Sequence, residues 1–263
     1  MSAKNPKPGD APVDPGGRQY HLGLAPGDVA SRILLVGDPA RVDRGAELLE
    51  SPSPVRRHRE FACTTGVHAG RSISILGTGI GTDNTEIAVV ELSRLVAPAE
   101  TVLIRVGSSG AISPEVRAGD LVISTAALRL ESTSLAYVDA GFPAVAHHEV
   151  VRALAAQAGH AGGRTHLGIT ASAPGFFGAQ GRPVEGLPIR WPDRVERLAA
   201  QRVLNMEMEC STLFTLATLF GMRAGAVCAV FADRNEGTFL GPDERAAAEV
   251  RALRVAIEAI ASL

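Results

Sequence analysis

A segment that could bind an anion spans residues 101–111 (TVLIRVGSSGA), where an apolar run contains an arginine and then opens into glycines and hydroxyls. The fixed positive charge of Arg105 is costly to bury unless an anion or a carboxylate meets it. Glycines let a backbone approach a ligand closely, and Ser108 adds a hydroxyl beside main-chain N–H groups. These residue types predict a phosphate-binding loop after a strand. A simpler interpretation, a Gly-Ser turn whose arginine pairs with a nearby carboxylate, stays open at this point.

Four further clusters combine charged or amide side chains with glycine or aromatic residues. They are residues 37–41 (GDPAR), 58–61 (HREF), 176–182 (FFGAQGR) and 205–209 (NMEME). No cluster is specific by itself, because short motifs recur by chance in unrelated chains.

The elements that must position these clusters alternate along the chain. Short apolar runs, typical of buried strands, occupy residues 33–36, 72–76, 101–106, 120–126, 166–171 and 224–232. Helical spacing of apolar residues follows the first two runs and recurs over residues 147–158, 208–220 and 243–261. This alternation predicts an α/β fold with a mixed sheet between helices. Glycine-rich turns follow several strands directly, so we expect the site along those strand ends.

Composition excludes several classes of protein. The chain has 263 residues, 26 Lys and Arg against 28 Asp and Glu, and a formal net charge of −2. No basic field exists to attract nucleic acid or an anionic membrane. The most apolar stretch, residues 213–232, is interrupted by Gly221, Arg223 and Gly225, so no membrane span is expected.

The remaining compositional signals concern the termini and the cysteines. Residues 1–19 are rich in Pro, Gly and charge and have no apolar signal segment, so we expect a flexible tail followed by one domain over residues 20–263. Cys63, Cys210 and Cys228 have no paired spacing, which predicts neither disulfides nor a metal site. A cytoplasmic location is expected.

Together with residues 21–24 (HLGL), the five clusters resemble the uridine phosphorylases of the nucleoside phosphorylase-I family, from His21 to the end of the chain. The resemblance implies a single α/β domain with a mixed, barrel-like β-sheet surrounded by α-helices. It also implies a pentosyltransferase that cleaves the N-glycosidic bond of uridine, or of a 5′-modified uridine, reversibly to uracil and a ribose 1-phosphate. Inorganic phosphate would be a co-substrate, and no metal or organic cofactor would carry the chemistry.

The resemblance also assigns roles to particular residues. For phosphate it implies Gly37, Arg41, Arg59, Arg105 and Ser108. For the base it implies Phe176, Gln180, Arg182 and Arg234, and for the ribose His21, Glu207, Met208 and Glu209. A neutral amide and a guanidinium complement the uracil edge, and donors already in place stabilise the negative charge of the leaving ring. Arg105, Glu209, Gln180 and Arg182 are the residues expected to carry catalysis.

Two properties of the assembly follow from the same resemblance. His21 and Arg59 would reach the site of a neighbouring subunit, so the functional unit would be a dimer and the assembly a homohexamer. Relatives also hold a potassium ion at the dimer interface. Glu60 and Ile80 match that site, whereas Asn84 replaces its serine.

Three alternatives remain at this stage. Purine nucleoside phosphorylases of the superfamily carry an aspartate that protonates the leaving purine, and Asp233 lies in the matching region. A hydrolytic nucleosidase would use water in place of phosphate. A non-catalytic nucleoside-binding protein could share the fold, because fold does not determine function.

Overall fold

The computed structural model describes residue 9 and residues 11–263. The strands in this part of the chain are β1 (Arg32–Val36), β2 (Arg56–His58), β3 (Phe61–His68), β4 (Arg71–Gly77), β5 (Val102–Ala111), β6 (Leu121–Arg129), β7 (Ala144–Val145), β8 (Thr165–Ser172), β9 (Val203–Glu207), β10 (Arg223–Asp233) and β11 (Thr238–Phe239). The α-helices are α1 (Ala40–Ala46), α2 (Thr82–Leu92), α3 (His148–Ala158), α4 (Arg194–Ala200), α5 (Cys210–Phe220) and α6 (Pro242–Ala261).

Five of the strands close into a barrel. Neighbouring strands pair in the order β10, β6, β8, β9 and β5, and β5 closes the circle by pairing with β10. The β5–β10, β6–β8 and β8–β9 pairs are parallel, whereas β5–β9 and β6–β10 are antiparallel. Strands β1, β4, β3 and β2 continue the sheet outward from β5. The prediction of a single α/β domain with a mixed, barrel-like sheet is confirmed.

Strand β5 lies at the centre of the molecule and is covered on both faces. Ile104 belongs to the apolar cluster that includes Ile257 of α6, whereas its neighbour Leu103 packs in the cluster that includes Phe214 of α5. Successive side chains of a strand point to opposite faces, so both faces of β5 are buried under helices. This packing fixes the backbone from which Arg105 projects.

The predicted elements are largely present, with three differences. The predicted loop after residue 106 is wrong, because β5 continues to Ala111 through its pairing with β10 and β9. The helix predicted from residue 208 begins at Cys210. Strands β2, β3, β7 and β11 and helix α4 were not predicted. Strand β3 (FACTTGVH) mixes small and polar residues without clear alternation, and the other four elements are too short to show a period.

The expected tail of residues 1–19 lies partly outside the described residues, namely at 1–8 and 10. The last residues of that stretch pack on the domain. Arg18 pairs with Asp28 at 2.6 Å, and Gln19 is buried. Ordered structure therefore begins before residue 20. No α-helix in the described part of the chain combines the length and the apolar character that a membrane crossing requires.

Candidate active site

A cavity of about 690 Å³ opens where β1, β5, β9 and β10 meet the loop before the Gly178–Gln180 turn. Ten of the thirteen site residues expected from the sequence line it, although they come from four separate stretches of the chain. The ten are Gly37, Arg41, Arg105, Ser108, Phe176, Gln180, Arg182, Glu207, Met208 and Glu209. The other three, His21, Arg59 and Arg234, lie outside its lining.

Arg105 occupies the wall of the cavity between two glutamates. Its Nε donates to Glu207 Oε2 at 3.0 Å, and its Nη2 pairs with Glu209. Burial alone would lower the pKa of Arg105, but the carboxylates of Glu209 and Glu207 outweigh it and raise that pKa above its ordinary value. Gly107 leaves room for the guanidinium, because a Cβ there would lie 2.8 Å from Arg105 Nη2. Arg105 therefore satisfies both interpretations made from the sequence. It pairs with carboxylates, and those carboxylates line the same cavity.

Arg41 is the second cation of this wall. It lies on α1 and is buried, with Nη1 donating to the carbonyl of Val106 at 2.9 Å. Its Nη2 pairs with Glu249 of α6 at 2.9 Å. Helix α1 follows Pro39, whose fixed φ suits the first turn of a helix. The strand, the turn at Gly37 and the helix together hold Arg41 beside β5.

Glu209 stands at the N-cap position of α5 but does not cap its own helix. Instead its Oε1 accepts a hydrogen bond from the Gly81 N–H at 2.7 Å. Burial raises the pKa of Glu209; the charge of Arg105 opposes this effect and the neighbouring Glu207 carboxylate adds to it. A buried carboxylate facing a polar cavity can accept hydrogen bonds from ligand hydroxyls and stabilise positive charge.

Gln180 and Arg182 project into the cavity from a tight turn. Gly181 between them has a φ of 68°, and a Cβ there would lie 2.9 Å from the carbonyl oxygen of Trp191. Glycine is thus required for both neighbours to face the cavity. The Arg182 guanidinium lies 4.1 Å from the ring centroid of Phe176. Burial, with a smaller contribution from Arg234, lowers the pKa of Arg182 to about 10.

The two cationic parts of the cavity are spaced along β5. The Arg105 guanidinium lies against Gly107, whereas Arg182 Nη2 lies 3.7 Å from the Cβ position of Gly110. Three residues of a strand span about 10 Å, so the two guanidinium groups serve different parts of a ligand. An anion beside Arg105 and a polar ring beside Arg182 would leave the space between them for a sugar.

Asp233 and Arg234 follow one another at the end of β10 but point to different places. Asp233 is buried outside the cavity lining, where Oδ1 accepts from the N–H groups of Asn235 at 3.0 Å and Glu236 at 3.2 Å. Its Oδ2 lies 3.5 Å from Arg117 Nη1. Arg234 donates instead to the main-chain carbonyl of Gln180. The carboxylate of Asp233 is therefore committed to its own turn.

His21 and Arg59 share a surface patch with the exposed Tyr20. The Arg59 guanidinium lies 4.5 Å from the Tyr20 ring centroid, and the Tyr20 and His21 ring centroids are 4.9 Å apart. His21 Nδ1 lies 2.7 Å from Oε1 of Glu91, whose carboxylate also accepts from the main-chain N–H of Leu22 at 2.8 Å. The role expected for this pair in a neighbouring subunit's site stays a prediction.

The potassium site suggested by the resemblance stays a prediction. Asn84, which replaces the serine of that site, donates from Nδ2 to the Ile80 carbonyl at 3.4 Å. Glu60 lines the cavity beside these two residues. Among the described residues there is also no cluster of three or more His, Cys, Asp or Glu side chains that could hold a metal ion.

Sequence reasoning missed several residues that shape the site. Glu249, which pairs with Arg41, lies on α6 more than two hundred residues away and carried no local signal. Phe231 and Phe239 line the cavity from the two arms of the β10–β11 hairpin. Their positions on either side of the turn after Asp233 could have indicated that both phenylalanines lie on a hairpin near the site.

A five-stranded barrel with a cavity that combines buried arginines, glutamates and an amide defines an α/β enzyme built around an anionic co-substrate. Comparison with known proteins agrees with this class. The chain belongs to the phosphorylase superfamily, whose family model matches residues 31–262.

Particular relatives share most of the chain. It is 46% identical over 245 residues to the uridine phosphorylase of Thermococcus kodakarensis, covering 92% of this chain and 87% of that protein. It is 34% identical over 253 residues to the guanosine phosphorylase of Halorubrum lacusprofundi, covering 94% of this chain and 99% of that protein. The Trypanosoma brucei nucleoside phosphorylase, whose crystal structure is described as showing uridine phosphorylase activity, superposes with a TM-score of 0.89 at 26% identity, covering 97% of this chain and all of that one.

Proposed function

We propose that the protein is a uridine phosphorylase, which cleaves the N-glycosidic bond of uridine or a 5′-modified uridine with inorganic phosphate. The observation that carries this proposal is the cavity in which Arg41, Arg105 and Ser108 lie together with Gln180, Arg182 and Glu209. The nearest of the relatives described above, that of T. kodakarensis, bears the same function in its name.

In the proposed reaction, phosphate attacks C1′ of the ribose while the bond from C1′ to the base nitrogen breaks. Arg41, Arg105 and the Ser108 hydroxyl hold the attacking oxyanion, which turns a bimolecular encounter into an oriented reaction. The electron pair of the broken bond moves into the uracil ring. Gln180 and Arg182 stabilise that charge with donors that need no reorganisation.

Glu209 has two tasks in this mechanism. Its carboxylate accepts hydrogen bonds from the 2′- and 3′-hydroxyls and so orients the sugar. Its charge favours the cationic character that develops on the ribose ring in the transition state, an effect that is strongest where water is excluded. Met208 lines the cavity next to Glu209 and would pack against the face of the sugar.

A purine substrate is the main alternative, and one relative is a guanosine phosphorylase. Protonation of a leaving purine would need an acid over the base, and Asp233 is the candidate from the sequence. Its carboxylate accepts from two main-chain N–H groups and faces Arg117, outside the cavity. This arrangement favours a pyrimidine, whose anion Gln180 and Arg182 can stabilise without a proton donor.

A homo-oligomer, built of dimers and reaching a hexamer, is part of the proposal. Arg59 and His21 lie beside the exposed Tyr20 and do not line the cavity of their own chain. A surface arginine and histidine placed together could complete a neighbour's phosphate and 5′-hydroxyl contacts.

Cytoplasmic location stays a prediction. The free and buried state of Cys63, Cys210 and Cys228 is compatible with it.

One assay tests the proposed function. Release of base is measured with and without inorganic phosphate from uridine, thymidine, inosine, guanosine and 5′-amino-5′-deoxyuridine, and kcat/KM is compared. We expect phosphate-dependent cleavage with a preference for a uracil nucleoside. Phosphate-independent release would indicate a nucleosidase, a preference for inosine or guanosine would indicate the purine alternative, and binding without turnover would indicate a nucleoside-binding protein.

A further inference from the structure

The carboxylate of Glu207 is enclosed by donors of its own chain, although sequence reasoning assigned it to the ribose. Its side chain has no exposed surface. Oε1 accepts from Ser172 Oγ at 2.5 Å, and Oε2 accepts from Arg105 Nε at 3.0 Å and from the Glu209 N–H at 2.8 Å. The Cys210 N–H lies within 3.1 Å of both oxygens. These contacts occupy the lone pairs that a ribose hydroxyl would need.

The donors around Glu207 come from parts of the fold that must meet for the site to work. One is the guanidinium of Arg105 on β5, which we place at the phosphate. Two are the first N–H groups of α5, where a negative charge is favoured by the helix dipole. Because Glu209 precedes that helix, the same carboxylate fixes the backbone of the ribose-binding glutamate and the orientation of the phosphate-binding arginine.

The geometry points to Glu207 as a positioning residue, which sets Arg105 for phosphate and Glu209 for ribose without touching either ligand. This inference rests on the proposed function. With Nε held by Glu207 and Nη2 held by Glu209, Arg105 keeps its Nη1 donors for an anion, and among the described residues Nη1 has no hydrogen-bond partner. Losing the contact between Arg105 Nε and Glu207 would let the guanidinium rotate, so that its Nη1 donors would no longer face the anion.

A second layer holds Glu207 in place from behind. Ser172 donates its one hydroxyl proton to Glu207 and accepts a hydrogen bond from the Ser211 N–H at 2.9 Å. Ser211 in turn donates its hydroxyl proton to Glu131 at 2.8 Å. Ser172, Ser211 and Glu131 are all buried and do not line the cavity. Ser172→Ala therefore removes no atom that would itself contact a ligand.

The test compares Ser172→Ala and Glu207→Gln with Ser74→Ala, a buried strand serine remote from the cavity whose Oγ bonds Thr65 and the Ala30 N–H. For each variant, KM and kcat are measured for phosphate, uridine and 2′-deoxyuridine, and binding of inorganic phosphate to the ligand-free protein is measured by calorimetry. Thermal unfolding establishes that each variant is folded. Glu209→Gln serves as the reference for lost ribose recognition.

We expect the KM and Kd for phosphate to rise about tenfold in Ser172→Ala and further in Glu207→Gln, the scale of one hydrogen bond to a charged group. The preference for uridine over 2′-deoxyuridine should stay within about twofold of the wild type in both variants and collapse in Glu209→Gln. Loss of that preference in Glu207→Gln with unchanged phosphate binding would overturn the inference. So would a Ser172→Ala protein that matches Ser74→Ala. A wild type that needs no phosphate would instead refute the proposed function.

Discussion

The guanidinium of Arg234 donates to the main-chain carbonyl of Gln180, with both Nη atoms 3.3 Å from that oxygen. This contact joins the end of β10 to the turn that carries the Gln180 amide. The side chain of Gln180 is left to face the cavity. Arg234 contacts the Gln180 turn and does not line the cavity, so the role in base binding that the sequence predicts for it would be indirect.

We predict that Arg234→Met raises the KM for uridine about tenfold, because one charge-assisted hydrogen bond holding the Gln180 turn is lost. The KM for phosphate should not change, since Arg41 and Arg105 do not contact Arg234 in this structure. Steady-state kinetics with each substrate varied in turn provides the measurement. An equal rise in both KM values would show that the turn also supports the phosphate side.

Arg105→Ala should lower kcat for uridine phosphorolysis by about 10², the scale of misplacing a reacting group by about 1 Å, because the cation that orients the attacking phosphate is lost. The protein should stay folded, because Glu209, whose pKa is already raised, can take up a proton when its cationic partner is removed. Arg202→Ala is the matched control, since that arginine is on the surface, with 87% of its side chain exposed. Near-normal turnover in a folded Arg105→Ala protein would contradict the role given to Arg105.

Gln180→Ala should weaken the selection of pyrimidines more than catalysis in general. The variant leaves the polar edge of uracil without its amide partner, so kcat/KM for uridine should fall about 10²-fold, whereas slow cleavage of inosine should change little. The ratio of the two kcat/KM values gives the result. A parallel fall for both nucleosides would mean that Gln180 supports the fold of the loop and does not read the base.

Arg182 should react with phenylglyoxal faster than Arg105, because the reagent attacks the neutral guanidine. With a pKa of about 10 for Arg182, about one-tenth of that side chain is neutral at pH 9, whereas the carboxylates around Arg105 hold its proton. Mass spectrometry after brief modification at pH 7, 8 and 9 would locate the adduct, and the rate should rise with pH. Uracil should protect Arg182, and preferential labelling of Arg105 would refute the electrostatic picture.

The alternation of strands and helices could be predicted from the sequence, because buried strands and amphipathic helices have recognisable local patterns of apolar residues. The sequence was also sufficient to select ten residues that line one cavity, through the resemblance of five short clusters to a known family. Prediction from the sequence failed where one local pattern is compatible with two different structures. Residues 107–111 have the composition of a turn, yet pairing with β9 and β10 makes them a strand.

Only the tertiary structure decided what each charged residue does. Glu207 and Glu209 are two positions apart and chemically identical, but the first is enclosed by Ser172, Arg105 and the start of α5. The second has one donor at each oxygen, the Gly81 N–H and Arg105. Asp233 does not line the cavity and accepts hydrogen bonds within its own turn. The physical reason is that the role of an ionisable side chain depends on its partners in space, and those partners come from strands and helices far apart in the chain.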